Sequence, residues 1–560
     1  MAWQRLAWCS VLNTRLGSGS VPFGNLRFDM LMLVAERLPA LSPPPSMLRI
    51  AAQGVADVGG PPDMRLCLER SMLPFAAVAS FLPPLLPSLT ELVLKNNRMG
   101  PPALRALLLA VANSTRIKRL DVSFNCADAG CCDAIRHLLS VSRSLTWLDV
   151  SGNSLSTNFA SALRALRSCS CPLRELRARS VGILDATELW QGLRNLPECP
   201  LRVCDLSQNA CTPSSFQHFA DAVKTGLSLY ELRLSGVHLG SDGASALCEG
   251  IGRCRTLTTL DLSLAQMVGA RDVAHVCMAC ISPSAGRVRK LVLSSIRLDA
   301  KRASAVLRSA PPDDDADDAR EQEQDQAVLA EALAELLRHG EVRELVLNHT
   351  SLPEVAALSL LKAMGSNSSL RELNLSNNQL PASCAVCLGE ALRGRQRRLT
   401  VLSYEANSIV GLFGAGHVGG ESGAAASVCP SVLPVGHAWL PSVMHVGRTC
   451  FTSKEAQQLD FELGMLGRAC GEARTRRRDA LQGVDSDVNT SAADNAEAGS
   501  CSAMQLELSL SLSGLTLGVE RLARILAPSL RGYEAHGGLR RLLLHNCGLG
   551  DQGVYLLAGT

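Results

Sequence analysis

Aromatic residues are scarce in this 560-residue chain, at 4%, and so are charged ones, at 19%, with neither sign prevailing. Fifty-five basic residues against fifty-two acidic ones leave a formal charge of +3. That is too small a field to draw a nucleic acid or an acidic lipid surface, so no nucleic-acid partner is expected. Long apolar runs are missing as well. The nearest, Leu73 to Leu86, is broken by Pro74, Pro83 and Pro84 and is too short to span a bilayer, so no membrane insertion is expected. The N-terminus has no compact apolar segment of the secretory kind. It lacks acids before Asp29 while carrying Arg5, Arg15 and Arg27, which leaves mitochondrial import as a minor alternative to a cytoplasmic, cytoskeletal or flagellar location. The 21 cysteines are too dilute and too irregularly spaced for a disulfide scaffold, and read as reduced, mostly buried small hydrophobes of an intracellular protein.

What the chain does have is leucine and alanine in quantity, 47% hydrophobic residues, and a pattern that returns. LTELVLKNNRMG begins at Leu89, IKRLDVSFNCAD at Ile117, LTWLDVSGNSLS at Leu145 and LRELRARSVGIL at Leu173; further copies begin at Leu201, Leu229 and Leu257, always 28 residues apart. The pattern continues from Val288, Val342, Leu370 and Leu399, and after a gap from Glu507 and Leu539. A degenerate copy surrounds Asp63 to Leu73, and another lies near Pro441 to Phe451.

The motif L-x-x-L-x-L-x-x-N-x-L on a 28-residue period resembles the leucine-rich repeat family, in its ribonuclease-inhibitor-like subclass. The resemblance covers about 63–410 and 505–560. It implies an α/β solenoid, a curved horseshoe with a parallel β-sheet on its concave face and helices on its convex face. Elementary physics points the same way. In LRELNLSNNQL, Leu373 and Leu375 alternate with polar residues, as a strand buried on one face requires. Ala103, Leu104, Leu107, Leu108 and Val111 make one apolar helical stripe. Neither piece buries its apolar face alone, so neighbouring copies must stack.

The asparagines at the end of each motif, Asn97, Asn125, Asn153, Asn209, Asn378 and Asn407, are expected to be structural, their amides satisfying backbone groups that stacking removes from water. Where that position holds Val181, Val237 or Ala265, the turn is expected to be less well pinned.

Residues 1–62 form an N-terminal segment in which Leu26–Leu38 has the pattern of a capping helix. Residues 63–410 are the solenoid, with an acidic insertion at about 311–326, PPDDDADDAREQEQDQ, read as a solvated loop leading into a helix at Val328–Leu337. A Gly/Ala-rich insertion (411–436), a degenerate repeat (437–472), a polar disordered insertion (473–504) and C-terminal repeats (505–560) complete the organisation. The last copy stops at Thr560 without a polar cap, which implies either a missing C-terminal segment or another chain over that end.

Chemistry is hard to find. Gly414-Ala-Gly416-His-Val-Gly419 matches G-x-G-x-x-G but lacks the strand–helix context and the acidic residue about 20 positions on. Cys384-Ala-Val-Cys387 is a lone C-x-x-C on a helical half, where packing is the simpler role. No catalytic, cofactor-binding or metal-binding residue is assigned, no cofactor is expected, and the chain is read as no enzyme.

Partner binding is expected on the concave face, at the third, fifth and seventh residues of each copy. Those residues include Trp147, Asp149, Glu175, Arg177, Arg179, Asp205, Glu231 and Arg233. Trp147 is expected to stand exposed amid charges, so its replacement by alanine should leave folding nearly intact while weakening a partner; Trp and Arg are enriched where interfaces concentrate their energy. The function this implies is a non-enzymatic scaffold that binds a partner protein. The alternatives are a regulator of a small GTPase, by resemblance to Ran-type GTPase activators, and a recognition subunit of a ubiquitin ligase.

Overall fold

The computed structural model describes residues 64–69, 82–83, 85–168, 171–194, 200–267, 269–283, 287–296, 298, 315–394, 399–408, 443–445, 508–511 and 539–543. The expected capping helix, the Gly/Ala-rich segment with its glycine motif, the polar segment at 473–504 and the last helix before Thr560 lie outside them. The chain divides into two compact units, one running to Met267 with Ser282–Gly286, the other comprising Val268–Ile281 and everything from Arg287.

The first unit holds eight strands: β1 (Met64–Cys67), β2 (Leu89–Val93), β3 (Arg119–Asp121), β4 (Trp147–Asp149), β5 (Glu175–Arg177), β6 (Val203–Asp205), β7 (Glu231–Arg233) and β8 (Thr259–Asp261). They pair in parallel, in chain order. The register puts Leu92, Leu120, Leu148, Leu176, Cys204, Leu232 and Leu260 side by side in one column, and every one is 0% exposed. Burying one such leucine contributes roughly 1.5–3 kcal/mol, so the column is the spine of the unit's core.

From β2 to β8 a helix returns the chain from each strand to the next, as parallel pairing demands: α1 (Pro101–Ala112), α2 (Cys132–Val141), α3 (Asn158–Leu163), α4 (Thr187–Leu193), α5 (Ser215–Lys224) and α6 (Gly240–Ile251). Prolines open α1, where the missing N–H costs nothing. Its stripe Ala103, Leu104, Leu107, Leu108, Val111 is buried. Phe216, Phe219 and Val223 do the same on α5, and Trp190 of α4 meets Phe219 edge-on, ring centroids 5.1 Å apart.

The turn after each strand is built from two devices. The first is the asparagine ladder. Asn153 Oδ1 accepts from Asn125 N (3.0 Å) and Ala127 N (3.0 Å), while its Nδ2 donates to Val122 O (3.0 Å) and Val150 O (2.7 Å). Asn125 relates in the same way to Asn97 N and Met99 N, and Asn97 Nδ2 donates to Leu68 O and Leu94 O. Asn209 Oδ1 accepts from Val181 N, Gly182 N and Ile183 N, so the turn at Val181 is held by its neighbour's amide. At Val237 and Ala265 the expectation of a poorly pinned turn is corrected. There the backbone itself takes over, through an isolated parallel bridge between His238 and Gln266, with Gln266 N donating to Val237 O (3.0 Å).

The second device is backbone geometry. The residue before the asparagine position is left-handed in copy after copy: Asn96 (φ 57°), Phe124 (56°), Gly152 (68°), Ser180 (53°), Gln208 (59°), Gly236 (71°) and Leu264 (57°). For a residue as bulky as Phe124 this conformation costs on the order of 1 kcal/mol, which the stack must offset. Glycine occupies the site where the preceding copy is large. A Cβ on Gly152 would lie 2.3 Å from the Phe124 ring, and one on Gly236 would lie 2.3 Å from the Gln208 amide.

The second unit repeats the design with α7 (Ala270–Cys280), β9 (Lys290–Val292), α8 (Asp315–His339), β10 (Glu344–Val346), α9 (Glu354–Ser366), β11 (Glu372–Asn374), α10 (Ala382–Gly394), β12 (Val401–Ser403), β13 (Val443–His445), β14 (Leu508–Ser511) and β15 (Leu539–Leu543). The strands from β9 to β15 again pair in parallel and in order. Asn378 and Asn407 continue the ladder, Asn378 Oδ1 accepting from Thr350 N and Leu352 N and Asn407 Oδ1 from Asn378 N and Leu380 N.

One expectation fails here. The acidic stretch is not a loop up to Val328: α8 begins at Asp315, so most of it is helix. Ala, Glu, Gln and Arg are good helix formers. Arg338 and His339 in the last turn complement the negative end of the helix dipole. Leu329, Leu333, Leu336 and Leu337 anchor the C-terminal half, with α7 on one side and α9 on the other.

Candidate protein-binding face

In β2–β8 the third and fifth positions flank the buried column and so, with the seventh beyond it, belong to the open face of the sheet. The fifth and seventh positions are largely committed to the fold. Asp121 Oδ1 accepts from Ser123 N (3.0 Å) and Ser123 Oγ (2.7 Å). Asp149, Asp205 and Asp261 hold Ser151 N (2.9 Å), Ser207 N (3.0 Å) and Ser263 N (2.9 Å) in the same way. The serines pass the connection on, Ser151 Oγ accepting from Arg179 N (3.1 Å) and Ser207 Oγ from Ser235 N (3.1 Å). Asp205 is 7% exposed, a carboxylate engaged in its own turn. Burial pushes the Asp149 carboxyl up from the usual range, Ser151 hydrogen bonds pull it back, Asp121 adds to the rise and Arg177 opposes it.

The arginines are mostly matched within their own strands. Arg177 Nη2 lies 2.6 Å from Glu175 Oε1, to which its Nε also donates (2.7 Å). Arg233 likewise pairs through Nε with Glu231 Oε1 two strands on. Both pairs come from Glu-Leu-Arg, whose first and third residues share a face because side chains alternate along a strand. Across the fifth positions Asp149, Arg177, Asp205, Arg233 and Asp261 therefore alternate in sign. Arg179, at the seventh position, is exposed.

Trp147 is the correction. It is 7% exposed, not an open anchor. The guanidinium carbon of Arg119, directly beside it on β3, stands 3.5 Å from the ring centroid, and that of Arg177 on β5 stands 5.2 Å away. Two cations lie over one electron-rich ring, an arrangement that gains up to about 2 kcal/mol per pair when water is excluded. Arg119 was missed by sequence reasoning. The signal was available, since it holds the third position 28 residues before Trp147. Unlike Arg177 and Arg233, Arg119 has no carboxylate partner among the described residues, and it remains half-buried.

The corresponding positions on β9–β12 carry a different surface. Lys290 pairs with Glu344 (2.5 Å), Ser294 Oγ donates to Asn348 Oδ1 (2.6 Å), and Asn374 takes the turn role of aspartate, accepting from Ser376 N (3.0 Å). Cys384 and Cys387 lie on α10, both buried. Burial pushes the Cys384 thiol up to about 12 and the Cys387 thiol also upward, so both are protonated at neutral pH and suited to packing. No group of three or more His, Cys, Asp or Glu placed to hold a metal occurs among the described residues, and no described helix is long and apolar enough to cross a membrane.

The comparisons agree with this geometry. Residues 144–166 and 366–382 match two family models described as leucine-rich repeat. The chain is 28% identical to the mouse Tonsoku-like protein over 211 residues, 36% of this chain and 15% of that protein. It is 27% identical to the rat NACHT, LRR and PYD domains-containing protein 3 over 311 residues, 55% of this chain and 24% of that protein. It is 26% identical to the pig ribonuclease inhibitor over 199 residues, 35% of this chain and 38% of that protein. The chain thus spans less than two-fifths of the length of each of these relatives. It is a leucine-rich repeat protein of the ribonuclease-inhibitor-like type, an α/β solenoid and, in general terms, a protein-interaction scaffold.

Proposed function

We propose that this chain acts without catalysis, binding a partner protein across the open, concave face formed by β3–β7. The observation that carries the reading is Arg119. It is a guanidinium stacked on Trp147, half-buried, and lacking, among the described residues, the intramolecular carboxylate that its counterparts Arg177 and Arg233 possess. A cation held so, beside the alternating charges of Asp149, Arg177, Asp205 and Arg233, offers a preorganised polar surface. The pig relative is, by its printed name, an inhibitor of a ribonuclease, a precedent for a protein target.

Proximity labelling in the native cell tests this, comparing wild type with Arg119→Glu/Arg177→Glu. The reading expects a small set of proteins labelled by wild type and lost in the variant. An unchanged set, with the variant folded, contradicts it.

A further inference from the structure

Each strand of the first unit is entered from a short connecting segment, and along β3–β8 these segments line one edge of the sheet. Residues 114–118, 142–146, 171–174, 200–202, 226–230 and 254–258 contain Arg116, Lys118, Arg143, Arg174, Arg202 and Arg255, and no acidic residue. Lys118, Arg143, Arg174 and Arg255 are exposed. They have no carboxylate partner among the described residues, although elsewhere in the unit Arg65, Lys95, Arg164, Arg194 and Lys224 all have one. Backbone bonds fix the order of the edge. Thr146 N donates to Lys118 O, Arg174 N to Thr146 O, Arg202 N to Arg174 O and Tyr230 N to Arg202 O, one rung per copy.

One guanidinium of the edge, Arg202, lies over the ring of Tyr230 in the following copy at 5.6 Å, as Arg119 at the start of β3 lies over Trp147. Tyr230 is itself 48% exposed. The edge therefore carries cations on five of its six connecting segments, the one entering β7 excepted, with rungs about 5 Å apart and Lys118, Arg174 and Arg202 at equivalent positions on three of them.

We infer that this edge receives an extended acidic segment of the partner protein, its carboxylates meeting Lys118 and Arg174; the inference rests on the reading of the open face given above. Lys118 and Arg174 are two rungs, about 10 Å, apart, which three residues of extended chain span at about 3.3 Å each. Acids at every third position match that spacing. A phosphate backbone fits less well. Acids border the edge on the strands themselves, Glu175 and Glu231 at the near ends of β5 and β7 and Asp121, Asp149 and Asp205 at the far ends of β3, β4 and β6; a nucleic acid carries negative charge on every residue, whereas a peptide can put neutral or basic side chains over that acidic border. Arginines whose planes are already set favour paired hydrogen bonds to carboxylate.

The test is fluorescence anisotropy with the full chain and a labelled peptide of five Glu-Ser-Gly units. The same peptide with Lys for Glu and an oligothymidylate of 15 nucleotides serve as competing probes. The expected result is binding of the glutamate peptide, weakened roughly tenfold by Lys118→Ala/Arg174→Ala and unaffected by Arg98→Ala, an exposed cation beyond the other end of β2. Matched thermal midpoints establish that the variants fold. No binding of the glutamate peptide, equal weakening by Arg98→Ala, or tighter binding of the oligothymidylate each overturns the inference. None of these touches the proposed function, which stands or falls with the labelled set lost in Arg119→Glu/Arg177→Glu.

Discussion

The guanidinium of Arg119 covers the indole of Trp147, 3.5 Å from its centroid, and by doing so turns an expected surface anchor into part of the fold. A residue that looks available for a partner is instead the platform on which a cation is presented.

Trp147→Ala therefore destabilises the first unit. The ring is almost fully buried, and losing a buried aromatic costs about 3–5 kcal/mol. Two of its neighbours here are solvent-reaching cations, so a value near the lower end of that range is expected. Urea denaturation followed by circular dichroism measures it. A variant as stable as wild type would mean that the indole is exposed after all.

Asn153→Ala leaves Asn125 N and Ala127 N without their acceptor and Val150 O without the Asn153 amide, while Val122 O keeps only the Asn125 Nδ2 donor, all at one buried turn. Unsatisfied buried groups cost about 1–3 kcal/mol each, partly recovered if water enters. The expected loss is about 2–4 kcal/mol, read from the same denaturation curves. A loss under about 1 kcal/mol would contradict the ladder's role.

Gly152→Ala meets two obstacles, a φ of +68° and the Phe124 ring 2.3 Å from the new Cβ. Phe124→Ser in the same chain removes only the second, and serine already occupies this turn position at Ser180. A double-mutant cycle should show positive coupling, the paired variant being more stable than the sum of the singles by about 1 kcal/mol. Additivity would place the ring elsewhere.

Asp149 makes the stability depend on pH. Burial raises its carboxyl above the unfolded value, near about 4. The folded chain consequently takes up the proton first, and this group's contribution declines as pH rises from about 4 through its folded value, where the ionised form must be kept half-desolvated. Asn374 shows that an amide serves the turn equally well. Asp149→Asn should thus be at least as stable as wild type at neutral pH and should flatten this slope, measured as thermal midpoint against pH. A variant that loses stability at neutral pH and leaves the slope unchanged contradicts this.

Most of the fold was legible because a 28-residue period fixes register by repetition. Once Leu92 is placed inward, Leu120, Leu148 and Leu176 follow. Backbone devices were less visible. Among the described residues of the first unit, the left-handed residue before the asparagine position is glycine only at Gly152 and Gly236, so composition does not mark it. The bridge between His238 and Gln266 replaces an amide that the sequence shows only as missing. The acidic run before Val328 reads as solvated, yet helix dipole and propensity extend α8 back to Asp315. On the open face, Trp147 was misjudged because its exposure is set by Arg119 and Arg177 one copy away on either side, which a single strand's pattern does not contain.

The most direct test of the central claim is covalent footprinting of arginines by mass spectrometry, on the chain alone and bound to a partner identified by the labelling experiment. The account predicts that Arg119, Arg177 and Arg179 lose reactivity on binding while Arg105 and Arg136, on the helical side, keep theirs. Protection of Arg105 and Arg136 with Arg119 and Arg177 unchanged would place the partner on the helices and contradict it.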